Sequence, residues 1–361
     1  MHHTSLLALT AVLAAPAAAQ LSTTVVSTTD SPRSIVSTGP FVIVSLQQSA
    51  RQVAIDVTNP VAPVVGPIYD PPLGDQFANS AWTPAFGGRL VLGHRGGGMN
   101  LIDTAGAPTL GSLFSGPTST AKYLHEGLET WLDTTGRAFV AYSEHNVGNS
   151  GGGLRLFEIT TTAAPGDTLT HIGADILVGR DGNGLEISAV GRTVWQWGWS
   201  GNNATNVHLA AWDTAGWAAP PTLLNSVPVP VTLSNYDRQL ERNAASDNLV
   251  GTLGWDGLVA VDVRNPANPV VTTVLADPTT FHFDGVRVVP NSNLAMVWGI
   301  IRVGTVDVDF LAFVDATIPG FAIPILAIAM PFQIADIAFG RGRTYVLGRD
   351  RTTSATTLTV Y

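Results

Sequence analysis

Apolar residues in this chain arrive in short bursts, not in helical stripes. PFVIVS (40–45), RLVLGH (89–94), AFVAYS (138–143), TVWQWG (193–198), LAMVWG (294–299) and TYVLGR (344–349) are rich in β-branched and aromatic residues, and most end in Gly or Ser. Runs of that length bounded by turn formers predict β-strands. A shorter element precedes each unit's run: RSIVS, NSAWT, EGLET, NGLEI, RQLER, DGVRV and ADIAF. Gly and Pro interrupt every longer window, so no long helix is expected.

The bursts belong to a repeat. VAIDVTNPVAPVV (53–65) and VAVDVRNPANPVV (259–271) share Val-Ala-x-Asp-Val-x-Asn-Pro-x-x-Pro-Val-Val. Weaker copies are MNLIDTAGAPTL (99–110), LRLFEITTTAAP (154–165), HLAAWDTAGWAAP (208–220), LAFVDATIPGFAIP (311–324) and the truncated TLTVY (357–361). Their marker positions are Asp56, Asp103, Glu158, Asp213, Asp262, Asp315 and Tyr361, spaced 46–55 residues apart. Units of that length suit four-stranded propeller blades, with strands a, b, c and d in chain order. The predicted fold is therefore all-β, a seven-bladed β-propeller of four-stranded blades. The marker Asp ends strand c, where it can accept backbone N–H bonds from the turn that Asn-Pro then fixes.

The last unit stops after strand c, and the chain from Leu21 offers a spare strand, LSTTVVST. Pairing of residues 21–28 with 356–361 would close the ring in the last blade and remove two open sheet edges. The repeat resembles the LVIVD-repeat family, whose unit reads roughly Leu-x-Ile-Val-Asp-Val-Ser-Asn-Pro-x-x-Pro. The match is best at 53–65 and 259–271. The resemblance implies a propeller of bacterial or archaeal surface or exported proteins, and it carries no activity or site residues with it.

Composition narrows the function classes. The 361 residues carry a formal charge of −9, with one lysine, Lys122, and otherwise scattered arginines. Nucleic acid, which selects clustered basic surfaces, is excluded as a partner. The chain has no cysteine, so disulfides, thiolate metal sites and a Cys nucleophile are excluded. Residues 5–15 (SLLALTAVLAA), followed by Pro16 and Ala17-Ala18-Ala19, read as an export signal cleaved before Gln20, although the preceding stretch has His2 and His3 and no Lys or Arg. The apolar run is too short to span a bilayer. The expected mature unit is residues 20–361, one monomeric domain located in the periplasm, at the cell surface or outside the cell.

By analogy with other propellers, strand a lines the central channel, and the d–a and b–c connections share the ligand-binding face. Aligned a strands put Arg33, Asn79, Glu126, Asn183, Arg238, Asp284 and Ala335 in one ring. Val36, Trp82, Glu129, Glu186, Glu241, Arg287 and Ala338 form a second. The connections add His125, Asp237, His282, His94, Glu144, His145, Trp199, Trp255, Asp256, Arg302, Asp307, Arg349 and Asp350. From these, the expected ligand-binding set at the channel mouth and top loops is Arg33, His125, Glu126, Asn183, Trp199, Arg238, His282 and Asp284. Glu126, Asn183 and Asp284 are hard oxygen ligands suited to Ca²⁺ or another divalent cation. A wet, polar pore would use the same residue types.

Two functions fit. One is an exported, non-catalytic module recognising a protein or glycan through the loop-rich face. The alternative is a lactonase- or esterase-type hydrolase with a divalent cation activating water. Three motifs are read structurally. Gly148-Asn149-Ser150-Gly151-Gly152 lacks the strand-to-helix context of a nucleophile elbow. His125-Glu126-Gly127-Leu128-Glu129 lacks the second His of a zinc-protease helix and fits strand a. Asp181-Gly182-Asn183-Gly184 reads as a turn. Trp195 and Trp197 are expected between blades, leaving Trp199 at the loop edge to stack on a sugar or aromatic ligand.

Overall fold

The computed structural model describes residues 20–48, 50–72, 77–94, 98–117, 123–145, 152–160, 168–177, 180–200, 207–229, 239–243, 246, 248–275, 279–316 and 324–361. It is a seven-bladed β-propeller, each blade a four-stranded antiparallel sheet.

Blade 1 contains strands Pro32–Ser37, Phe41–Leu46, Gln52–Asp56 and Val64–Tyr69. Blade 2 has Phe77–Thr83, Arg89–His94, Gly98–Asp103 and Gly111–Pro117. Blade 3 has Tyr123–Leu132, Ala138–His145, Gly152–Thr160 and Thr168–Leu177. Blade 4 has Arg180–Ile187, Thr193–Ser200, Val207–Asp213 and Thr222–Pro228. Blade 5 has Leu240–Asn243, Asn248–Thr252, Leu258–Asp262 and Val270–Leu275. Blade 6 has Phe281–Val288, Leu294–Val303, Val306–Asp315 and Pro324–Ala329. Blade 7 takes Gln333–Gly340, Arg343–Arg349 and Thr356–Val360 from the C-terminal end, and Ser22–Ser27 as its outer strand.

The closing strand runs antiparallel to Thr356–Val360, with Ser22 opposite Val360 and Thr23 opposite Thr359. Every predicted b strand falls on an observed one. Among the described residues the only helical elements are two single 3₁₀ turns, at Ala85–Gly87 and Ala215–Trp217. None is long and apolar enough to cross a membrane.

Alternation along each strand sends side chains to both faces, and both faces are covered by neighbouring blades. The described core accordingly divides into seven clusters, one at each blade-to-blade interface. One of them joins Val26, Tyr345 and Leu358 of blade 7 to Ile35, Val44 and Ile55 of blade 1, so the ring closes through packing as well as pairing. Trp195 and Trp197 lie buried between blades 4 and 5, as the sequence predicts.

The marker acids mostly do what a turn residue does. Asp56 accepts the Thr58 amide at 2.8 Å, Asp103 that of Ala105, Asp213 that of Ala215 and Asp262 that of Arg264. Glu158 departs from this and pairs with Arg137, both nitrogen–oxygen distances being 2.8 Å. Its longer side chain reaches across to Arg137, the residue before strand b, instead of folding back.

Candidate functional site

Strand a is the inner edge of every blade, so its channel-facing N–H and C=O groups have no strand partner. At three interfaces a side chain of the adjacent blade takes one of these amides. Gln239 of blade 5 accepts the Val286 amide of blade 6 at 3.2 Å. Glu186 of blade 4 accepts the Arg242 amide of blade 5 at 3.0 Å, and Asp336 of blade 7 accepts the Ile35 amide of blade 1 at 3.0 Å. Six of the seven a–b pairs also carry a register shift near the start of strand a. Such bulges bend the strand and re-aim the residues after them.

A belt of charge results around the channel. Glu129, Glu186, Glu241 and Arg287 occupy equivalent places in blades 3 to 6, each following a buried Leu or Val by one residue. Arg287 donates to Glu241 on one side, and on the other to Asp336 at 3.2 Å and the Ile337 carbonyl at 3.1 Å. Beside the belt is a cavity of about 200 Å³, whose lining includes Arg33, Glu129, Glu241, Asp284, Arg287 and Asp336.

Acids outnumber bases here, and desolvation favours their neutral forms. Burial, then the charges of Glu186 and Glu241, pushes the Glu129 carboxyl far above the ordinary range. Burial and the Glu241 charge bring Glu186 up to about 7, against the pull of the Arg242 amide. Burial also raises Glu241, despite Arg287 beside it. Arg287 loses hydration, yet Asp336 and Glu241 bind its proton more firmly than usual.

The channel mouth at blades 5 to 7 holds a second group. His282 Nδ1 lies 2.8 Å from Asp284 Oδ1, and the ring meets Trp255 edge-on with centroids 4.8 Å apart. The Arg302 guanidinium sits 4.5 Å from the Trp255 ring centroid and makes a two-point pair with Asp307 at 2.9 and 3.2 Å. Arg351 clasps the buried Asp309 at 2.5 and 2.7 Å.

Of the predicted ligand-binding residues, Arg33 and Asp284 line the cavity, and the buried His282 contacts Asp284. His125, Glu126, Asn183 and Trp199 lie on strands, but their side chains are outside the described residues, as is Arg238 altogether. The proposed metal set of Glu126, Asn183 and Asp284 is therefore described only at Asp284. Among the described residues no three His, Asp or Glu side chains converge as cation ligands.

Some placements differ from expectation. Asp181–Gly184 lies within strand a of blade 4, at its register shift, not in a turn. Arg302 and Asp307 pair across a continuous hairpin and are not in a loop. His94 is buried against Asn100 at the end of its strand. The acidic residue of the belt that alignment misses is Asp336. It precedes the buried Ile337 by one position, where the other blades have Ser, Gly or Gln.

No family model and no curated protein matches this chain. Among solved structures, Kuenenia stuttgartiensis hydrazine synthase superposes with a TM-score of 0.64 at 11% identity, over 91% of this chain and 95% of that one. Chaetomium thermophilum Raptor superposes with a TM-score of 0.61 at 11% identity, over 94% of this chain but only 28% of Raptor. At such identity the likeness is one of fold alone.

Proposed function

We propose that this chain is an exported, non-catalytic binding propeller that recognises a protein or glycan through the face carrying its d–a and b–c connections. The observation that supports it best is the blade 6 hairpin. Strands b and c there run ten residues each, against six and five in blade 1. The Arg302 amide donates to Thr280 just before strand a, so the hairpin rises beyond the channel mouth. Its tip presents Val303 and Val306, 55% and 59% exposed, around the two-residue turn Gly304-Thr305.

An apolar tip next to an Arg–Trp stack offers both ingredients of a recognition surface: an aromatic platform and desolvatable area. Export rests on the apolar run and alanines of residues 5–19, and kinship with LVIVD-repeat proteins on residues 53–65 and 259–271.

The test is binding of purified residues 20–361 to glycan and peptide arrays. Retention lost in Val303→Asp/Val306→Asp, with an unchanged unfolding midpoint, supports the reading. No retention on either array, together with a stoichiometric divalent cation and cation-dependent ester hydrolysis, would replace it with the hydrolase alternative.

A further inference from the structure

The channel belt spans several blades, and its hydrogen bonds cross from one to the next. Glu186 takes the Arg242 amide across the blade 4–5 interface, and Arg287 joins Glu241 of blade 5 to Asp336 of blade 7. At the start of this belt stands Glu129, which no hydrogen-bond donor reaches among the described residues. The Arg287 charge that offsets it is shared with Glu241 and Asp336, and Arg242, whose Nε donates to the Ile187 carbonyl at 3.1 Å, offsets Glu186 in part.

We propose that the belt is a proton-operated latch between blades 3, 4 and 5. Protons on Glu129 and Glu186 allow the three inner strands to close on one another, and loss of those protons loosens the junction. This inference is independent of what the loop-rich face binds.

The surroundings leave little else to neutralise the two acids. Strand a of blade 2 and strand b of blade 4, which flank these strands, contain no charged residue. Arg89 is paired with Asp103, Glu158 with Arg137 and His94 with Asn100. Arg155 is on strand c of blade 3, opposite Tyr142 and Ala174. Arg33 and Asp284 line the cavity from blades 1 and 6, and His282 is held by Asp284. The side chains of Glu126, Glu144, His145, Arg180 and Asp181 lie outside the described residues. Ionising both acids would set Glu129, Glu241 and Asp336 around the Arg287 guanidinium, with Glu186 between the charges of Glu241 and Arg242.

The direction of the pH effect follows from linkage. A carboxyl that holds its proton more tightly when folded favours the fold below its unfolded midpoint. That advantage is lost as pH rises from the ordinary carboxylate range through the folded midpoint. For Glu186 the window runs from the ordinary glutamate value of 4.5 to about 7, and Glu129 carries the loss further upward.

Two measurements on residues 20–361 decide the matter. Carbon-13 NMR of side-chain-labelled glutamate in the native protein should show a carboxyl titrating near 7 that disappears in Glu186→Gln. Urea unfolding at pH 5, 6, 7 and 8 should show a midpoint that falls with rising pH. The slope should correspond to roughly one to two protons released on unfolding near pH 6. In Glu129→Gln and Glu186→Gln that release should shrink by about one proton each. Glutamates that all titrate in the ordinary range would overturn the latch, as would an unchanged pH slope in both variants. Should either variant fail to fold, the titration of the native chain still decides.

Discussion

An indole laid flat against a neighbouring strand leaves no room for a methyl group, and this propeller uses that contact at several interfaces. A Cβ on Gly251 of blade 5 would lie 2.4 Å from Cζ2 of Trp197 in blade 4. One on Gly191 of blade 4 would meet Trp131 of blade 3 at 2.2 Å, and φ there is +67°. Trp197 is also fixed by its Nε1, which donates to the Gln239 carbonyl at 3.1 Å, so it cannot swing away without giving up a buried hydrogen bond. Gly251→Ala is therefore expected to destabilise by about 1–3 kcal/mol through overpacking. Gly111 has an ordinary φ and nothing within 4 Å of its notional Cβ. Gly111→Ala should stay within about 0.5 kcal/mol of the parent. Urea midpoints of the two variants, measured side by side, check the contrast. Equal effects would mean that Trp197 does not wedge the interface.

At the scale of elements, the c–d turn does more than reverse the chain. Ser22 of the closing strand donates to the Pro60 carbonyl at 2.7 Å, and Asn225 in strand d of blade 4 donates to Ala267 of blade 5 at 2.8 Å. In blades 2 and 4 the proline after the turn, Pro108 or Pro220, sits where a Cβ on Gly66 or Gly173 of the preceding outer strand would clash. The turns of blades 1, 2, 4 and 5 are thus each gripped by the outer strand of the blade before. This gives the Asn-Pro-x-x-Pro pattern a role between blades as well as within one. Asp56 organises its turn through Thr58, whose amide and hydroxyl both donate to it. Those bonds hold its carboxyl below the ordinary range, so its contribution is present at neutral pH and lost as pH falls into the acid range. Asp56→Ala should speed hydrogen exchange of the Thr58 amide by roughly three- to tenfold, the worth of one exposed hydrogen bond. Unchanged exchange would mean that the turn holds without its acid.

The same element explains how far the sequence could be read. Turn chemistry is local, so the markers, the strand bursts and the seven units are visible in the chain itself. The belt is not local. Seeing that Glu186 serves an amide 56 residues away, or that Asp336 serves one 301 residues away, requires the register of bulged strands on separate blades. The alignment that named Glu129, Glu186, Glu241 and Arg287 as a ring was right in register. It carried no information on which of them pair with a cation or accept an amide from another blade.

For the whole molecule, stability depends on a ring whose seven interfaces are sealed only if the first strand reaches the last blade. Val26 is the buried anchor of that strand, and Thr356 donates to the Asp30 carbonyl at 2.6 Å beside it. Opening the closing pair should expose two strand edges and uncover the blade 7–1 core together, so the strand should govern unfolding of the entire ring. Thr23 and Thr359 face each other directly in register, their hydroxyls 3.1 Å apart, and the chain contains no cysteine to compete. Thr23→Cys/Thr359→Cys should therefore form one defined disulfide enclosing nearly the whole chain. Chain-entropy reasoning puts its ceiling at about 6 kcal/mol, less any strain. The oxidised variant should unfold at higher urea than its own reduced form, and the reduced form should match the parent. Identical midpoints in the two redox states would mean that the ring opens at another interface first, and that closure by the terminal strand is not its weakest joint.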